Sequence, residues 1–130
     1  MQSILGETSR RPDISFYASG RIDITAHVAR ILELREGDVI DIVIDNNGEY
    51  LLFVRQRAGD FPGRFEAQVH ATSKSSKRCR NFRCHSVRLC KAMLQASGCS
   101  FVARLPVGVA SPVPQLGMTV MLITHHPLPR

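Results

Sequence analysis

A chain of 130 residues, 44% apolar and 22% charged, holds one domain of ordinary size or two small halves around a shared core, and 6% aromatics with no Trp leave few large anchors for stacking or sugar binding. Its net charge is +6, yet no stretch approaches the roughly 18 to 20 apolar residues of a membrane helix, and the leading MQSILGETSRRPD lacks the apolar core of a signal peptide, so the expectation is a cytoplasmic protein without membrane contact. The four cysteines, Cys79, Cys84, Cys90 and Cys99, form no C-x-x-C pair, which argues against a zinc ribbon or a thioredoxin-type site.

Residues 1–13 show little periodicity and carry the Arg10-Arg11 pair, and they read as a mobile arm. Ile14 to Tyr17 predicts a short strand. Ala18-Ser19-Gly20 is turn chemistry, and Ile22 and Ile24 alternate with Arg21 and Asp23 as the second arm of a hairpin. Thr25 suits the N-cap of a two- to three-turn helix with Val28, Ile31 and Leu32 on one face, stopped at Glu36-Gly37-Asp38 where Gly37 supplies a positive φ. In VIDIVID the residues Ile40, Ile42 and Ile44 share one face, and Asn46-Asn47-Gly48 turns the chain into EYLLFVRQR, so residues 39–57 predict a β-hairpin. Phe65, Ala67, Val69 and Ala71 alternate with Glu66, Gln68, His70 and Thr72 as a half-buried strand.

Ser73 to Arg80 is a polar, cationic loop, followed by a brief strand over Asn81 to Cys84 in which Phe82 is more simply a core residue than a stacking platform for an unpaired base. Ser86 caps a helix through Val87, Leu89, Cys90, Met93 and Leu94 that ends at Gly98. SFVARLPVGV and GMTVMLITH are the last strands, joined by the Pro-rich SPVPQLG, and Pro106 assigns the first of them to a sheet edge. The fold expected is α+β and β-rich: small, mostly antiparallel sheets or a barrel, with seven to eight strands and two short helices. Both halves run strand, Thr25 or Ser86 as cap, helix, Gly37 or Gly98 as stop, then strands. That order admits a degenerate internal repeat within one compact domain, 14–130, divisible into halves 14–66 and 67–130.

Charge is unevenly placed along this order. All eleven acids lie between Glu7 and Glu66, where eight arginines leave a formal −3; from Ala67 onward there is no acid and nine Lys and Arg give +9. Seven of those nine stand in KSSKRCRNFRCHSVRLCK. A merely solvated face normally intersperses both signs, so an uncompensated block points to a polyanion, and nucleic acid is the abundant one in the cytoplasm. Lys74, Lys77, Arg78 and Arg80 suit a phosphate backbone as plain charges, Arg83, Arg88 and Lys91 extend the block, and Arg forks also match guanine edges.

The opening stretch GRIDITAHVARILELREGDVIDIVIDNNGEYLL resembles the AbrB-type swapped-hairpin family of bacterial DNA-binding proteins. Gly20, Arg21, Ile22, Ile24, Val28, Leu32, Leu34, Gly37 and Asp38 fall in step with that family's pattern over about residues 14–54. Thr25 stands where the family has Pro, and Ala29 where it has Arg, with Arg30 adjacent. The resemblance implies DNA binding, favouring duplex DNA, with Arg21 and Arg30 as contact residues, and it implies a homodimer, unless a second unit in the same chain takes the partner's place as in tandem members of the superfamily.

Three other functions fit the composition, one of them a toxin-antitoxin or other protein-interaction role in which the basic block contacts an acidic protein. A β-rich surface with a basic loop also suits single-stranded DNA or RNA. A phosphodiester-acting enzyme would use His70, His85, His125 or His126, but no carboxylate follows Glu66 to hold a catalytic metal, and no phosphate-loop, nucleophile-elbow or H-E-x-x-H motif is present. The expectation is therefore a non-enzymatic binding protein without cofactor or metal; Cys79, Cys84 and His85 are the ligands to consider first if a metal binds.

Overall fold

The computed structural model describes residues 13–59, 63–72 and 80–125. Among the described residues, nine strands and two helices follow one another as β1 (Ile14–Tyr17), β2 (Arg21–Ile24), α1 (Ala26–Leu32), β3 (Val39–Ile44), β4 (Tyr50–Gln56), β5 (His70–Ala71), β6 (Phe82–His85), α2 (Val87–Ser97), β7 (Val102–Leu105), β8 (Val107–Val113) and β9 (Gly117–Leu122). They form a five-stranded sheet in the order β5-β6-β2-β1-β7 and a four-stranded sheet in the order β3-β4-β9-β8, with antiparallel pairing throughout. The expected α+β, β-rich architecture is present as two open sheets, not a barrel.

The β1–β2 hairpin turns at Gly20, whose φ of +100° is open to glycine and strained for other residues. The NNG turn closes β3 onto β4, pairing Ile44 with Tyr50, and the Asp45 carboxylate accepts from the Asn47 and Glu49 amides across that turn. One face of each sheet builds the core: Ile14, Phe16, Ile22, Ile24, Phe82, Ala103 and Leu105 from the larger sheet meet Ile40, Leu52, Val120 and Leu122 from the smaller. Both helices contribute to the same cluster, α1 through Val28, Ala29 and Leu32 and α2 through Cys90, Met93 and Leu94. The second face of the larger sheet is left outside.

Six expectations are corrected. Helix α1 ends at Glu33, in the left-handed region at φ 52°, and not at Gly37. The reason is packing: the turn brings Leu34 back to the core, with its amide donating to the Ala29 carbonyl, while Arg57 donates to the Leu32 and Glu33 carbonyls and covers the helix end. Gly37, at φ +90°, serves the next turn. Thr25 occupies the N-cap of α1, but its hydroxyl donates to the Asp13 carbonyl and makes no cap bond; the first helical amide, Ala26, instead donates to Asn81 Oδ1 at 2.8 Å.

The segment from Phe65 to Ala71 is not one strand. Ala67 takes φ 64°, which breaks the extended run, so only His70–Ala71 pairs as β5 and Phe65 turns outward. SFVARLPVGV also divides: Pro106 separates β7, an edge of the larger sheet, from β8, an edge of the smaller. Strand β8 then runs through Ser111–Val113, into the stretch expected as turn. Asp13 belongs to the fold and not to an arm: it is buried, and its carboxylate accepts from the Val107 amide at 3.0 Å, next to that crossover. The rest of the expected arm, residues 1–12, lies outside the described residues.

Both sheet orders read as halves facing each other. In the larger sheet β5-β6 faces β2-β1, in the smaller β3-β4 faces β9-β8, and β7 is the added strand. Exchanging the two halves thus carries β1-β2-α1-β3-β4 onto β5-β6-α2-β8-β9. The strand order thus has the two-fold symmetry that the expected internal repeat implies.

Candidate nucleic-acid interface

Alternation along each strand of the larger sheet sends every second side chain away from the core. Cross-strand register aligns those residues into a continuous rung, Arg104 on β7, Ser15 on β1, Asp23 on β2, Arg83 on β6 and His70 on β5. One step along, Tyr17, Arg21 and His85 form a second row, with Arg21 directly opposite His85. The outer face therefore collects three arginines and two histidines from both halves of the chain, with Asp23 as the carboxylate among them.

Asp23 stands between two guanidiniums. Arg83 Nε meets one carboxylate oxygen at 2.7 Å and Arg21 Nη2 meets the other at 3.3 Å, all three side chains remaining partly open to solvent. Arg21 also lies over the Tyr17 ring, with Cζ 4.1 Å from its centroid, and a side-chain hydrogen bond with Tyr17, followed by the Asp23 charge, raises its pKa against the effect of desolvation. Arg104 stands 5.9 Å from the same centroid and makes no ion pair among the described residues. Exposed pairs of this kind contribute about 0 to 1 kcal/mol each, so an incoming phosphate can compete for these donors.

The row is held from beneath. The Cys90 thiol of α2 donates to the Arg21 carbonyl at 3.3 Å, and the Ser86 amide donates to the Gly20 carbonyl at 2.8 Å, so the cap of α2 is tied to the start of β2. His85 Nε2 lies 3.1 Å from the Ser19 carbonyl, which can only accept, so that nitrogen carries the hydrogen. His70 Nδ1 bonds the Glu36 carboxylate. Partial burial alone would raise the Glu36 pKa, but the bonds from the Ala71 amide and His70 hold it below the ordinary range. Between these groups lies a groove of about 800 Å³, lined among others by Arg21, Arg64, His70, Arg83 and His85.

The other basic residues expected at the interface lie elsewhere. Arg30 and Arg80 share a smaller cleft with Glu33, Arg35 and Glu36, beside α1. Arg88 is engaged by Glu66: its Nη2 lies 2.7 Å and its Nε 3.1 Å from the carboxylate, and the Ser86 hydroxyl donates to the same group at 2.6 Å. Lys91 is exposed on α2. Lys74, Lys77 and Arg78 lie outside the described residues, in the connection between β5 and β6.

Sequence reasoning missed Arg104 and Tyr17, and took His70 as a polar-face strand residue or candidate catalyst and His85 as a candidate catalyst or metal ligand. For Arg104 the signal was present, since it alternates with the buried Ala103 and Leu105. Tyr17 follows Phe16 in the same way.

Cys84 and His85 point to opposite faces of the sheet, so they cannot share a metal ion, and burial pushes the Cys84 thiol up to about 12, away from thiolate chemistry. Cys79 lies outside the described residues. Among the described residues no helix is long and apolar enough to cross a membrane. No protein-family model, no curated protein and no solved structure matches the chain.

Proposed function

We propose that the protein binds nucleic acid, with duplex DNA as the preferred form in the manner of AbrB-type regulators, through the outer face of the five-stranded sheet. The observation that carries this reading is the gathering of Arg21, Arg83 and Arg104 on one open face, two of them brought there by strands that follow Glu66 in the chain. Five strands about 4.8 Å apart span roughly 19 Å, wide enough to cross a major groove of about 12 Å and reach phosphates on both banks. Arg21 carries the family-like role from the sequence resemblance. Lys74, Lys77 and Arg78, which follow β5 in the sequence, lie outside the described residues and enter this reading through their charge alone.

The strand order supports the same reading, because a chain whose second half mirrors its first does not need a second copy to complete the sheets. Arg88, locked to Glu66, is given a structural role, and Arg30 and Arg80 a peripheral one. The test is a fluorescence-anisotropy competition in which unlabelled duplex DNA, single-stranded DNA and RNA displace a labelled duplex. Displacement chiefly by duplex DNA is expected. Preferential displacement by single strands or RNA would transfer the face to the single-strand reading, and no binding at low salt would end both.

A further inference from the structure

The two flanks of this face are unlike although the strands beneath them are paired by symmetry. Exchanging β2 with β6 brings the buried Ile22 onto Phe82 and Ile24 onto Cys84, and the residue between them, Asp23, onto Arg83. Equivalent places on the central rung thus carry opposite charges. Beyond β1 the sheet continues into β7, whereas β5 is the edge on the other side. Strand β7 brings Arg104 to the Tyr17 ring already covered by Arg21, and the Nε atoms of both arginines are buried without a hydrogen-bond partner. The opposite flank has two histidines, one bonded to Glu36 and the other to the Ser19 carbonyl, beside Arg64 and the Arg83 that is paired with Asp23.

We infer that the Arg21–Tyr17–Arg104 stack is an anion-gripping site on one flank only, and that a single chain engages a duplex whose recognised sequence has no two-fold symmetry. This rests on the nucleic-acid reading above. Palindromic sites mirror proteins whose two halves present the same side chains. Here the scaffold is near-symmetric but the contact residues are not, so turning the duplex end for end sets it against different chemistry. Stacking on Tyr17 limits the motion of both guanidiniums, which lowers the entropy lost when their remaining N–H groups meet a phosphate or a guanine edge.

The experiment selects binding sequences from a random duplex library with the full chain and then measures stoichiometry on the selected site by native mass spectrometry. A consensus without a dyad, bound by one chain, is expected. Arg104→Ala should weaken that site about ten-fold, the loss of one good Arg contact. The paired exchange Asp23→Arg with Arg83→Asp keeps net charge and the cross-strand pair; on an effectively symmetric face it would leave affinity for a palindromic duplex unchanged, and here it should weaken the selected site. A palindromic consensus bound by two chains, or Arg104→Ala binding like the parent, overturns the inference while the nucleic-acid reading stands. Failure of the parent protein to hold any duplex at low salt removes that reading, and the inference with it.

Discussion

The Arg83 guanidinium meets the Asp23 carboxylate at 2.7 Å across a strand pair that joins positions sixty residues apart in the chain. Asp23 thereby tempers both Arg83 and Arg21 on a face otherwise set for anions. Asp23→Asn is predicted to strengthen nucleic-acid binding at low salt, because it removes the carboxylate that competes for the two guanidiniums. The stability cost should stay within about 1 kcal/mol, as for other exposed pairs. Anisotropy titrations beside urea denaturation measure both, and weaker binding with intact stability would contradict the competition argument.

Asp38 is predicted to be the most costly polar residue to lose. It is fully buried and accepts from the Arg35 amide at 2.9 Å, the Ala58 amide at 2.6 Å and Arg57 Nη1 at 3.0 Å, so one carboxylate joins the end of α1 to the end of β4. Asp38→Ala leaves these donors without their acceptor and should destabilise the protein by about 2 to 4 kcal/mol. A shift in the urea midpoint equivalent to less than about 1 kcal/mol would show that the turn reorganises around the loss.

Glu66 provides an acid-sensitive link. The bond from Arg88, then that from Ser86, holds its carboxyl down from 4.5 to about 2. Because its folded-state pKa is depressed, its contribution is fully present above the unfolded value near 4.5 and fades as pH falls toward 2. The carboxylate is 39% exposed, so water screens the pair and the effect is modest. Ser86→Ala should cost about 1 kcal/mol at neutral pH through the lost cap bond to Leu89 and should flatten the decline between pH 4.5 and 2. An unchanged slope of stability against pH in the variant would detach Ser86 from the effect.

Gly20 is the backbone position on which the second row depends. A Cβ there would lie 2.6 Å from His85 Nε2, at a φ of +100°. Gly20→Ala should cost about 1 kcal/mol or more and push His85 from the Ser19 carbonyl. Thermal melting and the chemical shift of the His85 ring nitrogens report these separately; a variant with parental stability and unmoved His85 shifts would refute the close approach.

Local chemistry made most elements legible. NNG between alternating runs identified β3 and β4, and Ser86 with Gly98 bounded α2 as expected. What failed depended on contacts from elsewhere: Ala67 leaves the extended region where its amide donates to the His85 carbonyl, and α1 stops early because Leu34 and Arg57 meet it there. The candidate site was legible as residues facing outward but not as one surface. Arg21 and Arg83 could each be assigned to an exposed strand face, yet only the pairing of β2 with β6 and of β1 with β7 puts them beside Arg104.

The central claim is that the outer sheet face supplies the nucleic-acid contacts, and the salt dependence of duplex binding tests it most directly. Each phosphate contact contributes about −0.9 to the slope of log affinity against log salt. The triple variant Arg21→Ala, Arg83→Ala, Arg104→Ala is predicted to bind more weakly and to flatten that slope by roughly two to three. A control, Arg88→Ala, removes one positive charge at the Glu66 pair and, compared with each single variant of the triple, should leave the slope near that of the parent. Parental affinity and slope in the triple variant would contradict the account and move the interface away from this sheet.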